Sequence, residues 1–184
     1  LGVIYKNGEG VAPDYEKSVY WLEKAVKQGH SAALTNLGWM YENGKGLVKD
    51  YKKAFELYSK AADKGQVEGQ LNLGIMYNKG KGIEKNYKWA VFWYKQAADK
   101  GNAEAQLNLG IMFKYGRGVE ENYTQAVNWF KMSAEQGNVE AQSNLGWMYE
   151  YGKGVDQDYS QAISWYQKAA EQGNVSAQMY LGII

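Results

Sequence analysis

The chain of 184 residues predicts an all-α solenoid of five 36-residue helix–loop–helix units, and three observations carry that prediction. One phrase recurs, as "NGEGVAPDY" from Asn7, "NGKGLVKDY" from Asn43, "KGKGIEKNY" from Lys79, "YGRGVEENY" from Tyr115 and "YGKGVDQDY" from Tyr151. A fixed period of that size marks stacked units that cannot bury their apolar faces alone. Apolar residues also fall three and four apart through both halves of the unit, the spacing of amphipathic helices. Finally, of the 22 glycines all but Gly69 occupy four repeated columns, so glycine punctuates the backbone here.

With the unit started at Leu1, the copies occupy 1–36, 37–72, 73–108, 109–144 and 145–180, and a sixth is begun over 181–184. The chain starts in mid-repeat and without Met, and so reads as a piece of a longer protein.

Helix A is clearest in "AEAQLNLGIMFKY", where Ala105, Leu109, Met112 and Phe113 form the apolar stripe. Asn102, Asn138 and Asn174 stand at the N-cap, and Gly116 can take the left-handed conformation that ends the helix. Helix B starts from a capping residue, Asp14, Asp50, Asn86, Asn122 or Asp158, and Gln125 and Gln161 are placed for a capping box. Its apolar face in "NYTQAVNWFKMSAEQG" is Tyr123, Ala126, Val127, Phe130, Ser133 and Ala134, and it ends at the closing glycine. Small alanines opposite large rings suit helices that interdigitate at close range. A glycine after each leading Leu sits in mid-helix, where it costs roughly 1 kcal/mol relative to Ala. Its presence in every copy predicts that a neighbouring helix passes too close for a methyl group. Pro13 lies in a loop, where a missing amide does no harm.

Bulk composition narrows the function. The 21 basic and 20 acidic residues leave no electrostatic footprint for nucleic acid or an anionic membrane. There is no apolar run of about 18 residues to span a bilayer, and Leu1 does not open a secretion signal. Without cysteine the sequence has no disulfide, thiol nucleophile or thiolate metal site, a composition compatible with a reducing or an oxidising compartment. His30 is the single histidine and stands at a cap position, so neither a triad nor a His-based metal site has its companions. No catalytic residue, metal or cofactor is expected. Lys81 between two glycines invites a phosphate-loop reading, but such a lysine must be followed by Ser or Thr, and Gly82 follows here. The ladder Lys45, Lys81, Arg117 and Lys153, with Glu9 as its exception, reads as a solvated basic edge.

"ALTNLGWMYENGKGLVKDYKKAFELYSKAADKG" (Ala33 to Gly65) and "AQSNLGWMYEYGKGVDQDYSQAISWYQKAAEQG" (Ala141 to Gly173) resemble the unit of the Sel-one-like repeat family, a relative of tetratricopeptide repeats. The resemblance covers essentially the whole chain. It implies antiparallel helix pairs stacked in a right-handed superhelix, with A helices lining the inner face, and a scaffold or adaptor that binds a protein or peptide. A secreted bacterial branch of the family pairs cysteines within the unit, a feature absent here.

Carrying over the groove spacing of the tetratricopeptide relatives places Thr35, Trp39 and Glu42, then Leu71, Ile75 and Asn78, then Leu107, Ile111, Lys114 and Tyr115, then Ser143, Trp147, Glu150 and Tyr151 on the concave face. These columns vary between copies while the packing columns hardly change, as a recognition surface would. Trp39 and Trp147, with Leu71, Ile75, Leu107 and Ile111, make an apolar strip, and Trp and Tyr are favoured interface residues. The competing reading is that some of these side chains fill gaps between successive A helices. A second column, Asn36, Asn72, Asn108 and Asn144, broken at Tyr180, suits an inter-helix hydrogen bond. In the peptide-binding relatives an equivalent asparagine holds the peptide backbone. Two other functions stay open: glycan or peptidoglycan-fragment binding on the groove aromatics, and head-to-tail self-association through exposed repeat ends.

Overall fold

The computed structural model describes residues 1–182. The beginning of a sixth unit therefore lies partly outside the described residues. The chain forms two compact units, one covering Leu1–Trp93 and one from Tyr94 onward. The first holds α1 (Gly2–Asn7), α2 (Tyr15–Lys27), α3 (Ser31–Asn43), α4 (Tyr51–Asp63) and α5 (Val67–Lys79), and α6 (Tyr87–Ala98) carries the chain into the second. There follow α7 (Ala103–Lys114), α8 (Tyr123–Glu135), α9 (Val139–Tyr151), α10 (Tyr159–Glu171) and α11 (Val175–Leu181). Odd-numbered helices are A helices and even-numbered ones B helices. No strand occurs among the described residues, and the fold is an all-α solenoid.

The boundaries follow from local chemistry. Side-chain oxygens of Asp14, Asn86, Asn122 and Asp158 each accept from the backbone N–H three residues on, at 2.9 to 3.1 Å, and Asp50 does the same for Lys53 at 3.0 Å. Asn102, Asn138 and Asn174 cap A helices in the same way. His30 and Gln66 occupy that position without a capping bond, and Gln66 Nε2 instead donates to Ser31 Oγ at 2.7 Å. At the other end Gly44 turns left-handed at φ 64°, and its N–H returns to the carbonyl of Met40.

Within each unit every helix packs on the next: α1 on α2, α2 on α3, α3 on α4 and α4 on α5; then α7 on α8, α8 on α9, α9 on α10 and α10 on α11. Leu22, Ala33, Leu37 and Met40 form one core cluster of the first unit, and Ala54, Tyr58, Ala62, Leu73 and Met76 another. In the second unit, Ala126, Phe130, Ala134, Ala141, Leu145 and Met148 are fully or almost fully buried.

The mid-helix glycines have the cause expected of them. A Cβ on Gly38 would lie 2.7 Å from Tyr58 Cε1, and one on Gly110 would lie 2.6 Å from Phe130 Cδ1. The close neighbour is the ring of helix B in the same repeat. The second glycine of G-x-G answers to a different partner, since Gly46, Gly82 and Gly154 rest against the backbone of Tyr15, Tyr51 and Tyr123 at the start of the preceding B helix. Between repeats, the buried Gln142 donates to the carbonyl of Ala134 at 3.2 Å and accepts from Gln172 at 2.8 Å, so its amide is satisfied on both sides.

Candidate functional site

Each unit presents its own A-helix faces. Of the residues expected there, Leu71, Leu107, Ser143 and Lys114 are only 7, 9, 8 and 9 % exposed. Leu71 and Leu107 therefore belong to the core: Leu107 joins the cluster around Ala126 and Phe130. The continuous apolar strip is thus corrected, because in α5, α7 and α9 the position four residues after the helix start is buried. Trp39, Ile75, Ile111 and Trp147 remain half-buried, and Tyr115 and Tyr151 are exposed. Both indoles also pack on core, Trp39 against the Leu22 cluster and Trp147 against two clusters of the second unit. Thr35, Asn36, Asn72, Asn78, Asn108, Asn144, Glu42 and Glu150 are partly accessible.

Glu42 and Glu150 have a structural task. Tyr58 Oη donates to Glu42 at 3.1 Å and Tyr166 Oη to Glu150 at 2.6 Å, so each carboxylate satisfies a tyrosine buried on helix B of its own repeat. Burial first, and then the carboxylate, push both phenols far above their ordinary value. Where helix B carries Leu22 or Phe130, with no hydroxyl to satisfy, the A-helix position holds Lys6 or Lys114. Variation in this column is therefore coupled to the core as well as to any ligand.

The two lysines turn to the following A helix. Lys114 Nζ donates to Asn144 Oδ1 at 3.1 Å and lies 4.0 Å from the ring centroid of Trp147. Lys6 Nζ donates to Asn36 Oδ1 at 2.7 Å and lies 5.1 Å from the ring of Trp39. Asn36 and Asn144 each donate back to their own helix, to the carbonyls of Ala32 and Glu140, so both asparagine amides are engaged within the repeat stack. Burial lowers the ammonium pKa of Lys114 and of Lys6. Shallow pockets open at both places. One is lined by Lys6, Thr35, Asn36, Trp39, Glu68 and Asn72, and the other by Lys114, Tyr115, Glu140, Asn144, Trp147 and Tyr180. Thr35 Oγ1, in the first, has no hydrogen-bond partner among the described residues.

The basic loop ladder is anchored. Lys45, Lys81 and Lys153 lie 5.2, 5.4 and 5.6 Å from the rings of Tyr15, Tyr51 and Tyr123 in the preceding repeat, and Arg117 lies 5.2 Å from Tyr115. Lys81 Nζ also pairs with Glu42 at 2.9 Å. Its charge is matched inside the protein. Among the described residues no three His, Asp or Glu side chains gather as metal ligands, and no helix is long and apolar enough to cross a membrane.

The Sel1 repeat family matches residues 1–30, 31–66, 67–102, 103–138 and 139–174, nearly the whole chain. The chain belongs to the Sel1 repeat family. Proteins of this family generally mediate protein–protein interactions, and their repeats form non-catalytic scaffolds. A protective antigen of uropathogenic Escherichia coli with an SLR fold is similar at 40 % identity and a TM-score of 0.94, over 100 % of this chain and 39 % of that one. This chain thus spans well under half the length of that protein. A Sel1 repeat protein from Oxalobacter formigenes matches at 34 % identity and a TM-score of 0.92, over 100 % of this chain and 75 % of that one. An immunity protein of Pseudomonas aeruginosa matches at 29 % identity and a TM-score of 0.60, over 95 % and 67 % of the two chains. None of the curated proteins matches.

Sequence reasoning missed Lys6 among the Sel1 site residues. Its signal was present: Lys6 and Lys114 stand three repeats apart, and each precedes the only tryptophans of the next column, Trp39 and Trp147. An exposed aromatic group on helix B was also missed, in which Trp89 stacks on Tyr77 at 6.2 Å and meets Phe92 edge-on at 5.5 Å.

Proposed function

We propose that this Sel1 repeat chain is a non-catalytic adaptor whose A-helix faces take a peptide or protein partner. The reading rests on one observation: in each unit a half-buried tryptophan borders an open pocket of mixed polar lining, at Trp39 and at Trp147. An indole held by core contacts is a rigid anchor, and ordering it on binding costs little entropy. The ring of Trp147 has Lys114 over it at 4.0 Å and Tyr151 at 5.1 Å, which leaves less free face for stacking on a sugar and favours a peptide over a glycan. The test is selection from a displayed peptide library, followed by titration of the selected peptides. Trp39→Ala with Trp147→Ala weakens binding by roughly tenfold or more while helical circular dichroism is retained. Unchanged affinity in the folded double variant defeats the reading.

A further inference from the structure

Lys114 as a residue is 9 % exposed, and its ammonium, at the wall of the open pocket, has three N–H donors and one oxygen acceptor, Asn144 Oδ1, within the described residues. No carboxylate lies within ion-pair distance of it there, whereas the half-exposed Lys95 pairs with Asp99 and Lys81 with Glu42. A partly desolvated cation without a counter-ion carries a cost, and the cost falls when an anion arrives. The indole of Trp147 holds the ammonium at 4.0 Å and fixes its direction. The same three residue types recur at Lys6, Asn36 and Trp39, again with an Nζ to Oδ1 bond and the lysine over the indole. Lysine in this column accompanies tryptophan in the next repeat, whereas Glu42 and Asn78 precede Ile75 and Ile111. One constellation thus occupies the same columns in two copies of the repeat.

We propose that the Lys114–Asn144–Trp147 and Lys6–Asn36–Trp39 pockets recognise carboxylates of the partner peptide, each lysine taking one acidic group while the indole packs on the residue beside it. The inference rests on the peptide-binding reading above and gives it a chemistry. Glu121 and Glu140 line the Lys114 pocket and Glu68 the Lys6 pocket, so runs of acidic residues are disfavoured. The preferred segment carries a single carboxylate with apolar or basic neighbours, and the carboxylate belongs either to an Asp or Glu side chain or to the peptide C-terminus.

The probe is an array of short synthetic random peptides, each made as free acid and as C-terminal amide. The wild-type chain enriches peptides with one acidic group. Lys6→Gln with Lys114→Gln loses those peptides by roughly tenfold or more, and the two Lys→Arg changes retain them. A Glu→Gln change in the peptide causes the same loss and adds nothing in the glutamine variant; loss on amidation instead identifies the terminal carboxylate as the source. Melting curves establish that the variants fold, and the Lys114 ε-methylene signals of the wild-type chain shift on adding an enriched peptide. Binding that is indifferent to acidic groups, yet lost in the tryptophan variants, sinks this proposal and leaves the peptide-binding reading intact. Absence of any bound peptide sinks both.

Discussion

Tyr166 donates its hydroxyl to Glu150 at 2.6 Å, joining α10 to α9 inside one repeat. Glu150 was expected to face a ligand, and its carboxylate instead completes the hydrogen bonding of a phenol buried at 0 % exposure. A hydrogen bond to a charged group contributes about 1.5–3 kcal/mol, and removing one partner leaves the other unsatisfied. Tyr166→Phe is expected to lower unfolding free energy by ~1–2 kcal/mol, and a double-mutant cycle with Glu150→Gln by urea denaturation should return a coupling of about 1 kcal/mol. Strict additivity would show that the two do not act together.

Gly110→Ala replaces a poor helix former by the best one, a gain of about 1 kcal/mol in an open helix. Here the new methyl would lie 2.6 Å from Phe130 Cδ1, and overpacking of that kind costs ~1–3 kcal/mol. The expected result is net destabilisation, read as a lower denaturation midpoint. A midpoint that rises would mean that α7 and α8 can separate freely.

These two cases mark what the sequence could tell. The glycine columns, the caps and the A and B stripes were legible because each depends on spacing within one helix or one turn. The fate of Leu71 and Leu107 was not, because it is set by how neighbouring helices lean on the A helix, and periodicity along a single helix carries no such distance. Glu42 and Glu150 looked variable and hence available for a ligand. The coupling to Tyr58 and Tyr166 shows only when column six is compared with column twenty-two of the same unit.

Alkaline pH should separate tyrosine from lysine. Tyr58 and Tyr166 have folded-state pKa values raised above the ordinary 10.0, by burial first and then by Glu42 and Glu150. Their contribution is complete below that value and is lost as pH rises above it, because the unfolded chain ionises first. Lys114 has the opposite sign. Its folded pKa lies below 10.5, so the folded state sheds its proton first and stability rises with pH through the window just under that value. Tyr58→Phe with Tyr166→Phe is expected to flatten the alkaline fall of the urea midpoint, and Lys114→Gln to steepen it. Parallel profiles for all three proteins would contradict both assignments.

Trp147→Ala removes a half-buried ring that touches two core clusters. Full burial makes such a change worth about 3–5 kcal/mol, so roughly half of that is expected here, with helical circular dichroism retained at room temperature. Thermal melts of Trp147→Ala and Trp147→Phe check it: the phenylalanine variant should recover most of the loss. Equal melting of all three proteins would place the ring outside the core.

At Gly46, Gly82 and Gly154 the seam sets glycine against main chain, while the neighbouring lysine lies over the ring of the same tyrosine. The main-chain half of that joint is the same whatever side chains the two modules carry, and the lysine–tyrosine half asks only for two residues that recur in the phrase itself. A copy inserted or removed in a whole step of one period would keep this joint, whereas the pairing of Lys6 with Trp39 and of Lys114 with Trp147 ties particular neighbours together.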